Sequence, residues 1–263
     1  MSSDAFEGRR TGTPGALKAQ KFIINQFHSL NVAPLGNSYK QLFSFFEDRR
    51  QYGGTNILGF IKGTECPKKY IVISAHYDHE GIQQGEIYNG ADDNASGVSA
   101  LFAFAEFFKN NPPKHSVILA AFDGEELGLQ GSRYFVNSSL VKAKKIILNL
   151  NMDMISRSDK KELFVAGASE HHKLKKLIKK AKHAPGIKLL MGHDGYDGLD
   201  NWTYASDHAN FHKKGIPFLY FGVEDHEDYH EPTDTYDKIN PEFYIEAVKT
   251  IISVFSSIDN SDF

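Results

Sequence analysis

Four short, nearly continuous apolar runs constrain the fold of this chain more than any other feature: KYIVISA (69–75), SVILAAF (116–122), KIILNLNM (145–152) and IPFLYF (216–221). Runs this short and nearly continuous fit strands buried on both faces, as in a parallel or mixed sheet covered by helices. Between the first two lies SGVSALFAFAEFFKN (96–110), apolar almost all round, which predicts a largely buried helix. Helical patterns also fall near 128–140, 169–183, 206–214 and 241–258. Strands alternating with helices imply an α/β fold, with a mixed, mostly parallel central sheet and helices on both faces.

The N-terminal part reads differently. Thr13-Pro14 is a helix start, with Thr13 capping and Pro14 in the first turn. Ala16, Ala19, Ile23, Phe27 and Leu30 then share one face of a helix ending near Asn31. YKQLFSFFE (39–47) and TNILGFIKG (55–63) read as an antiparallel edge pair. With 263 residues, 41% hydrophobic, and no repeat, low-complexity tract or linker, a single catalytic domain over 1–263 is expected. The longest irregular segment, GHDGYDGLDNWTYA (192–205), is a candidate wall of a cleft.

The turns after the apolar runs carry metal-type side chains. SAHYDH holds His76 and Asp78, GADDNASG holds Asp92 and Asp93, FDGEELG holds Glu125 and Glu126, NMDM holds Asp153, and DYHEPTDT holds His230. In open α/β sheets ligands sit at the carboxyl ends of the strands, so these groups converge if the strands are neighbours. Asp93, Glu126 and Asp153 with His76 and His230 suit two zinc ions sharing a carboxylate. Asp78, two residues from His76, is placed to accept the other ring N–H of that histidine. Of the adjacent glutamates, one binds metal and the other serves as a base. Spacing alone leaves open which does which, and whether Asp92 or Asp93 bridges.

In order, the motifs AHYDH, GADDNASG, DGEELGLQGS, NMDM and SDHANFHKKGIP resemble the zinc-dependent aminopeptidases of the bacterial leucyl aminopeptidase type. The likeness runs from EGRRTGTPG (7–15) to HEDYHEPTDTYDKI (226–239). That family is related to glutamate carboxypeptidase, glutaminyl cyclase and, without catalysis, the transferrin receptor. The resemblance implies a zinc exopeptidase (phosphorylase/hydrolase-like) architecture with two zinc ions per chain. It implies that Asp93 bridges, with His76 and Asp153 on one metal and Glu126 and His230 on the other. It further implies Glu125 as general base, a cis Asp93–Asn94 peptide, and Tyr229 as hydrogen-bond donor to the oxyanion. Asp207 would be a supporting residue. Where some relatives carry Arg before Ser-Asp-His, this chain has Ala205.

The implied activity is hydrolysis of the N-terminal peptide bond of peptides with a free N-terminus. A carboxypeptidase and a glutaminyl cyclase-like acyl-transfer enzyme are the alternatives, and a non-catalytic receptor ectodomain is the reading from outside enzymology. Trp202, Tyr204 and Phe211 are candidates for the side-chain pocket. A net charge of −3 makes no case for nucleic acid, and the basic run LKKLIKKAK (174–182) reads as a solvated helix face. No run is long and apolar enough to span a bilayer, and MSSDAFEGRR lacks a signal-peptide core. A soluble chain in a periplasmic or secreted setting is implied by analogy alone. The lone Cys66, expected in a loop beside Pro67, forms no internal disulfide. Oligomeric state is not legible.

Overall fold

The structure, a computed structural model, describes residues 1–169 and 171–261; residue 170, inside the helix expected over 169–183, and residues 262–263 lie outside the described residues. The strands are β1 (Ala33–Pro34), β2 (Lys40–Glu47), β3 (Arg50–Ile61), β4 (Cys66–His76), β5 (Gly81–Gln83), β6 (Glu86–Tyr88), β7 (His115–Phe122), β8 (Ile146–Met152), β9 (Glu162–Ala166), β10 (Lys188–Met191) and β11 (Phe218–Gly222). The helices are α1 (Pro14–Ser29), α2 (Gly97–Asn110), α3 (Gln130–Asn137), α4 (His172–Lys180), α5 (His208–His212) and α6 (Pro241–Asp259).

Among the described residues, nine strands form one sheet in the order β1-β3-β7-β4-β8-β11-β9-β10, with β2 also paired to β3. The centre is parallel: β4 lies between β7 and β8, and β11 continues from β8. All four apolar runs fall in these central strands. Alternate residues explain why the runs are continuous. Ile71 and Ile73 face one cluster with α1, α2 and α6, while Val72 faces another with Phe135 of α3 and Phe211 of α5. Each such buried apolar side chain stabilises the fold by about 1.5–3 kcal/mol relative to exposure, and polar residues that these strands bury, such as Ser74, Asn149 and Asn151, are hydrogen-bonded to one another.

The helix signals act locally. The Thr13 hydroxyl accepts from the Ala16 N–H at 3.4 Å, and Asn240 accepts from the Phe243 N–H at 3.0 Å, each just ahead of a proline in the first turn. Among the described residues, no helix is long and apolar enough to cross a membrane.

The short strands and Cys66 depart from the sequence reading. Strands β9 and β10 were not foreseen; they are only five and four residues long, and β10 is half exposed. Strand β9 runs antiparallel to β11 and gives that flank its mixed character. Cys66 opens β4, paired to His115, because the strand continues through Pro67 at its start rather than looping there.

Candidate active site

The three parallel neighbours β7, β4 and β8 end on the same edge of the sheet. His76 is the last residue of β4, Glu125 and Glu126 follow β7 by one turn, and Asp153 follows β8 directly. Asp93 lies in the turn 91–96 that leads into α2, and His230 lies in the loop after β11. The Asp93–Asn94 peptide is cis.

These side chains meet. The Nε2 of His76 lies 3.2 Å from Asp93 Oδ1 and 3.2 Å from Asp153 Oδ1. On the other side of Asp93, the Nε2 of His230 lies 3.2 Å from Asp93 Oδ2 and 3.2 Å from Glu126 Oε2. Asp93 therefore presents one oxygen to each imidazole. The Nδ1 of His76 donates to the main-chain carbonyl of Asp78 at 3.1 Å, so in the neutral ring the lone pair is on Nε2. A lone pair facing two carboxylate oxygens at that distance is repulsive, and either a cation among them or a proton on Nε2 relieves it.

The donor set fits zinc. Around a tetrahedral ion with bonds of about 2.0–2.1 Å, neighbouring ligand atoms lie roughly 3.3 Å apart, close to the spacing seen here. Electrostatics make the same demand. Burial disfavours the charged forms of His76 and His230, yet the facing carboxylates raise His76 well above its ordinary value and His230 to about 10. Burial would raise Asp93 too, but hydrogen bonds from His230 and His76 hold it well below the carboxylate range. Burial and Asp93 push Glu126 up, and hydrogen bonds from His230 and His79 outweigh them, bringing it to about 2.

Glu125 differs from its neighbour. Burial pushes its carboxyl well above the usual value; His76 opposes this, and Glu126 and Asp153 add to it. It lines a cavity of about 230 Å³ together with His76, Asp93, Asp153, Tyr229 and His230. Trp202, Tyr220 and Met154 form the apolar wall, and Asp200 and Ala205 bring the 192–205 loop to its rim. Tyr229 stacks on His230 with ring centroids 4.0 Å apart, and burial beside Asp93 and Asp153 raises its phenol. A larger cavity of about 380 Å³ lies beyond Val223, between Arg157–Glu162 and Glu224–Glu227.

Two expectations need correction. The Asp78 carboxylate does not take the ring proton of His76: its nearer oxygen is 3.8 Å from Nδ1, and the main-chain carbonyl takes that place. The carboxylate instead accepts from the N–H groups of Glu125 at 3.1 Å and Glu126 at 3.3 Å, fastening the turn that carries both glutamates. Phe211 is no part of the cleft. It is fully buried between Phe122 and Phe135, because α5 packs its apolar side on the far face of the sheet. Tyr204 is exposed against His212.

Several supporting residues were not singled out from sequence. Asp234 accepts from the main-chain N–H groups of Asp92 (3.0 and 3.1 Å) and Asp93 (3.0 Å), tying the Asp93 turn to the His230 loop. The buried Arg9 guanidinium donates to the carbonyls of Tyr77, Asn89 and Gly90, and holds the β4–α2 crossover from beneath. His79 donates from Nδ1 to Glu126 Oε1 at 2.8 Å. The second imidazole in AHYDH was a visible signal for His79; Arg9 and Asp234 bond to backbone atoms, which leave no residue-type pattern. Asp92 turns away from the cluster to Ser156 and His226. Asp207 is buried behind the cleft, where desolvation raises it to about 7.

Comparison with known proteins identifies relatives of this chain. Aminopeptidase YwaD of Bacillus subtilis is 31% identical over 201 residues, covering 71% of this chain and 41% of that protein. A probable glutamate carboxypeptidase of Zea mays is 31% identical over 211 residues, covering 74% of this chain and 28% of that protein. The chain thus spans less than half the length of these curated relatives. A solved zinc aminopeptidase from Bacillus subtilis superposes with a TM-score of 0.64 at 26% identity, over 79% of this chain and 50% of that one. Glutaminyl cyclase from Fimbriiglobus ruber shares the fold, with a TM-score of 0.75 at 21% identity over 96% of this chain and 91% of that one. The model of peptidase family M28 matches residues 56–255, a span that holds every side chain lining the cleft, and the chain belongs to that family.

Proposed function

We propose that this chain is a zinc-dependent aminopeptidase that hydrolyses the N-terminal peptide bond of peptides. The observation that carries the proposal is the two-sided Asp93, whose oxygens each lie 3.2 Å from a different imidazole, one beside Asp153 and the other beside Glu126. His76, Asp93 and Asp153 would hold one zinc ion, and Asp93, Glu126 and His230 a second. Two zinc ions so held supply Lewis acidity, which activates water at neutral pH and polarises a carbonyl.

The chain's own residues supply the rest. Glu125 faces the cavity with a carboxylate whose pKa burial raises, which suits it to take a proton from the attacking water and return it to the leaving amine. Metal held by the neighbouring ligands would act on this carboxylate in the opposite sense, favouring its ionised form. Tyr229 stays protonated beside the carboxylates and is the donor available for the developing oxyanion. The carboxylates along the cleft suit a free ammonium terminus. Trp202, Tyr220 and Met154 give the first side chain an apolar wall. A single catalytic domain in a periplasmic or secreted setting belongs to the same proposal.

The test is hydrolysis of a free-amine leucine p-nitroanilide by the zinc-loaded protein, beside its Glu125→Gln variant. Loss of activity by about 10²–10⁴-fold with both zinc ions retained is expected for a general base. Undiminished turnover in the variant would remove Glu125 from that role. Cyclisation of N-terminal glutamine with one zinc per chain would assign the acyl-transfer reaction instead, and release of C-terminal residues from N-blocked peptides a carboxypeptidase.

A further inference from the structure

His79 is the one imidazole at the metal cluster without a role so far. Its side chain is fully buried, and Nδ1 lies 2.8 Å from Glu126 Oε1 but 3.7 Å from Asp93 Oδ2. The other Glu126 oxygen, Oε2, is the one that faces His230 Nε2 at 3.2 Å. Since an ionised carboxylate only accepts, the bond requires the proton on Nδ1. Nε2 is buried with no hydrogen-bond partner among the described residues, so Nδ1 makes the ring's one hydrogen bond. The backbone makes room for this ring. At Gly90, whose φ is +52°, an added Cβ would lie 2.6 Å from His79 Cδ2.

We propose that His79 is a positioning residue for the metal position formed by Asp93, Glu126 and His230: its Nδ1–H occupies Glu126 Oε1 and leaves Oε2 as the single oxygen offered to metal. The role rests on the dinuclear reading above. It also explains how Glu126 is held as a one-oxygen ligand while the adjacent Glu125, without such a donor, stays available as a base. Partners that orient a ligand typically change metal affinity by about 10–100-fold.

The test is stepwise zinc release from the full, zinc-loaded chain to a chelating indicator, with circular dichroism as the check on folding. His230→Ala identifies the release step that belongs to this position. His79→Phe fills the space without a donor, and His79→Asn restores a donor near the Nδ1 position. The expected result is about 10–100-fold weaker binding at that step alone in H79F, with H79N within about threefold of wild type. Where H79F does not fold, His79→Gln, whose amide reaches further than Nδ1, serves as the non-rescuing variant. Unchanged affinity in H79F, equal weakening at both steps, or H79N as weak as H79F would each overturn the role. A single zinc per wild-type chain would overturn the dinuclear reading and this role with it, whereas two zinc ions and an indifferent H79F would overturn the role alone.

Discussion

Asp234 offers the sharpest test of how the Asp93 turn is held. Its carboxylate is fully buried and accepts from two main-chain N–H groups, that of Asp92 through both oxygens and that of Asp93 through Oδ2. In Asp234→Ala both donors lose their partner inside a turn whose residues 91–96 are all buried. A buried donor left unsatisfied costs about 1–3 kcal/mol, so the gross loss is about 2–6 kcal/mol. Part of this is offset, since burial and the charges of Asp92 and Asp93 already raise the Asp234 carboxyl and relief of that repulsion favours the variant. A net destabilisation of about 2–4 kcal/mol is expected, and less in Asp234→Asn, which keeps one acceptor oxygen. Urea unfolding of the metal-free protein isolates the effect from metal binding. A loss below about 1 kcal/mol in D234A would mean that water or other groups satisfy these N–H groups, and would refute the argument that this carboxylate shapes the turn. With zinc added, the stability gap between D234A and wild type is expected to widen, because only the native form presents the complete ligand set.

Other consequences are open to direct measurement. Tyr229→Phe should lower kcat by about 10²-fold, with KM changed little and zinc content unchanged, as steady-state kinetics on a leucine p-nitroanilide would show; an unaltered kcat would remove the phenol from oxyanion stabilisation. His208 is fully buried, its Nε2 2.7 Å from the Trp202 carbonyl, and desolvation lowers its pKa from 6.5 to about 3. The unfolded chain therefore takes up a proton there that the folded chain refuses. Its contribution to stability is complete above pH 6.5 and is lost as pH falls from 6.5 towards 3. Wild type should lose about 1.4 kcal/mol per pH unit more than His208→Gln across that window, and parallel stability curves from urea unfolding would contradict the assignment.

Much of this protein is legible without coordinates. The central strands announce themselves because burial on both faces favours nearly continuous apolar runs, as Ile71, Val72 and Ile73 show by pointing to opposite clusters. The helix start at Thr13-Pro14 is legible because capping is local chemistry. Strand β9 was not, since five residues of ELFVA carry no periodicity that separates strand from helix. The metal-type residues are equally visible as residue types at strand ends, and their order supports the family assignment.

What the sequence by itself determined is therefore the central strands, the main helices and the side chains that stand ready at their ends. Only the tertiary structure decided which of those side chains meet, and which turn away. Asp78 lies two residues from His76, yet its carboxylate turns to the 125–126 turn, because β7 is the sheet neighbour of β4 and brings that turn alongside. Phe211, three residues beyond His208, leaves the cleft for the opposite face of the sheet. Asp234, Arg9 and His79 become meaningful only when a carbonyl, an N–H or a carboxylate oxygen from a distant segment meets them. Local propensity and burial are written along the chain, one residue at a time. A hydrogen bond between segments as far apart as 93 and 234 depends on which strands pair, and that is a property of the folded whole.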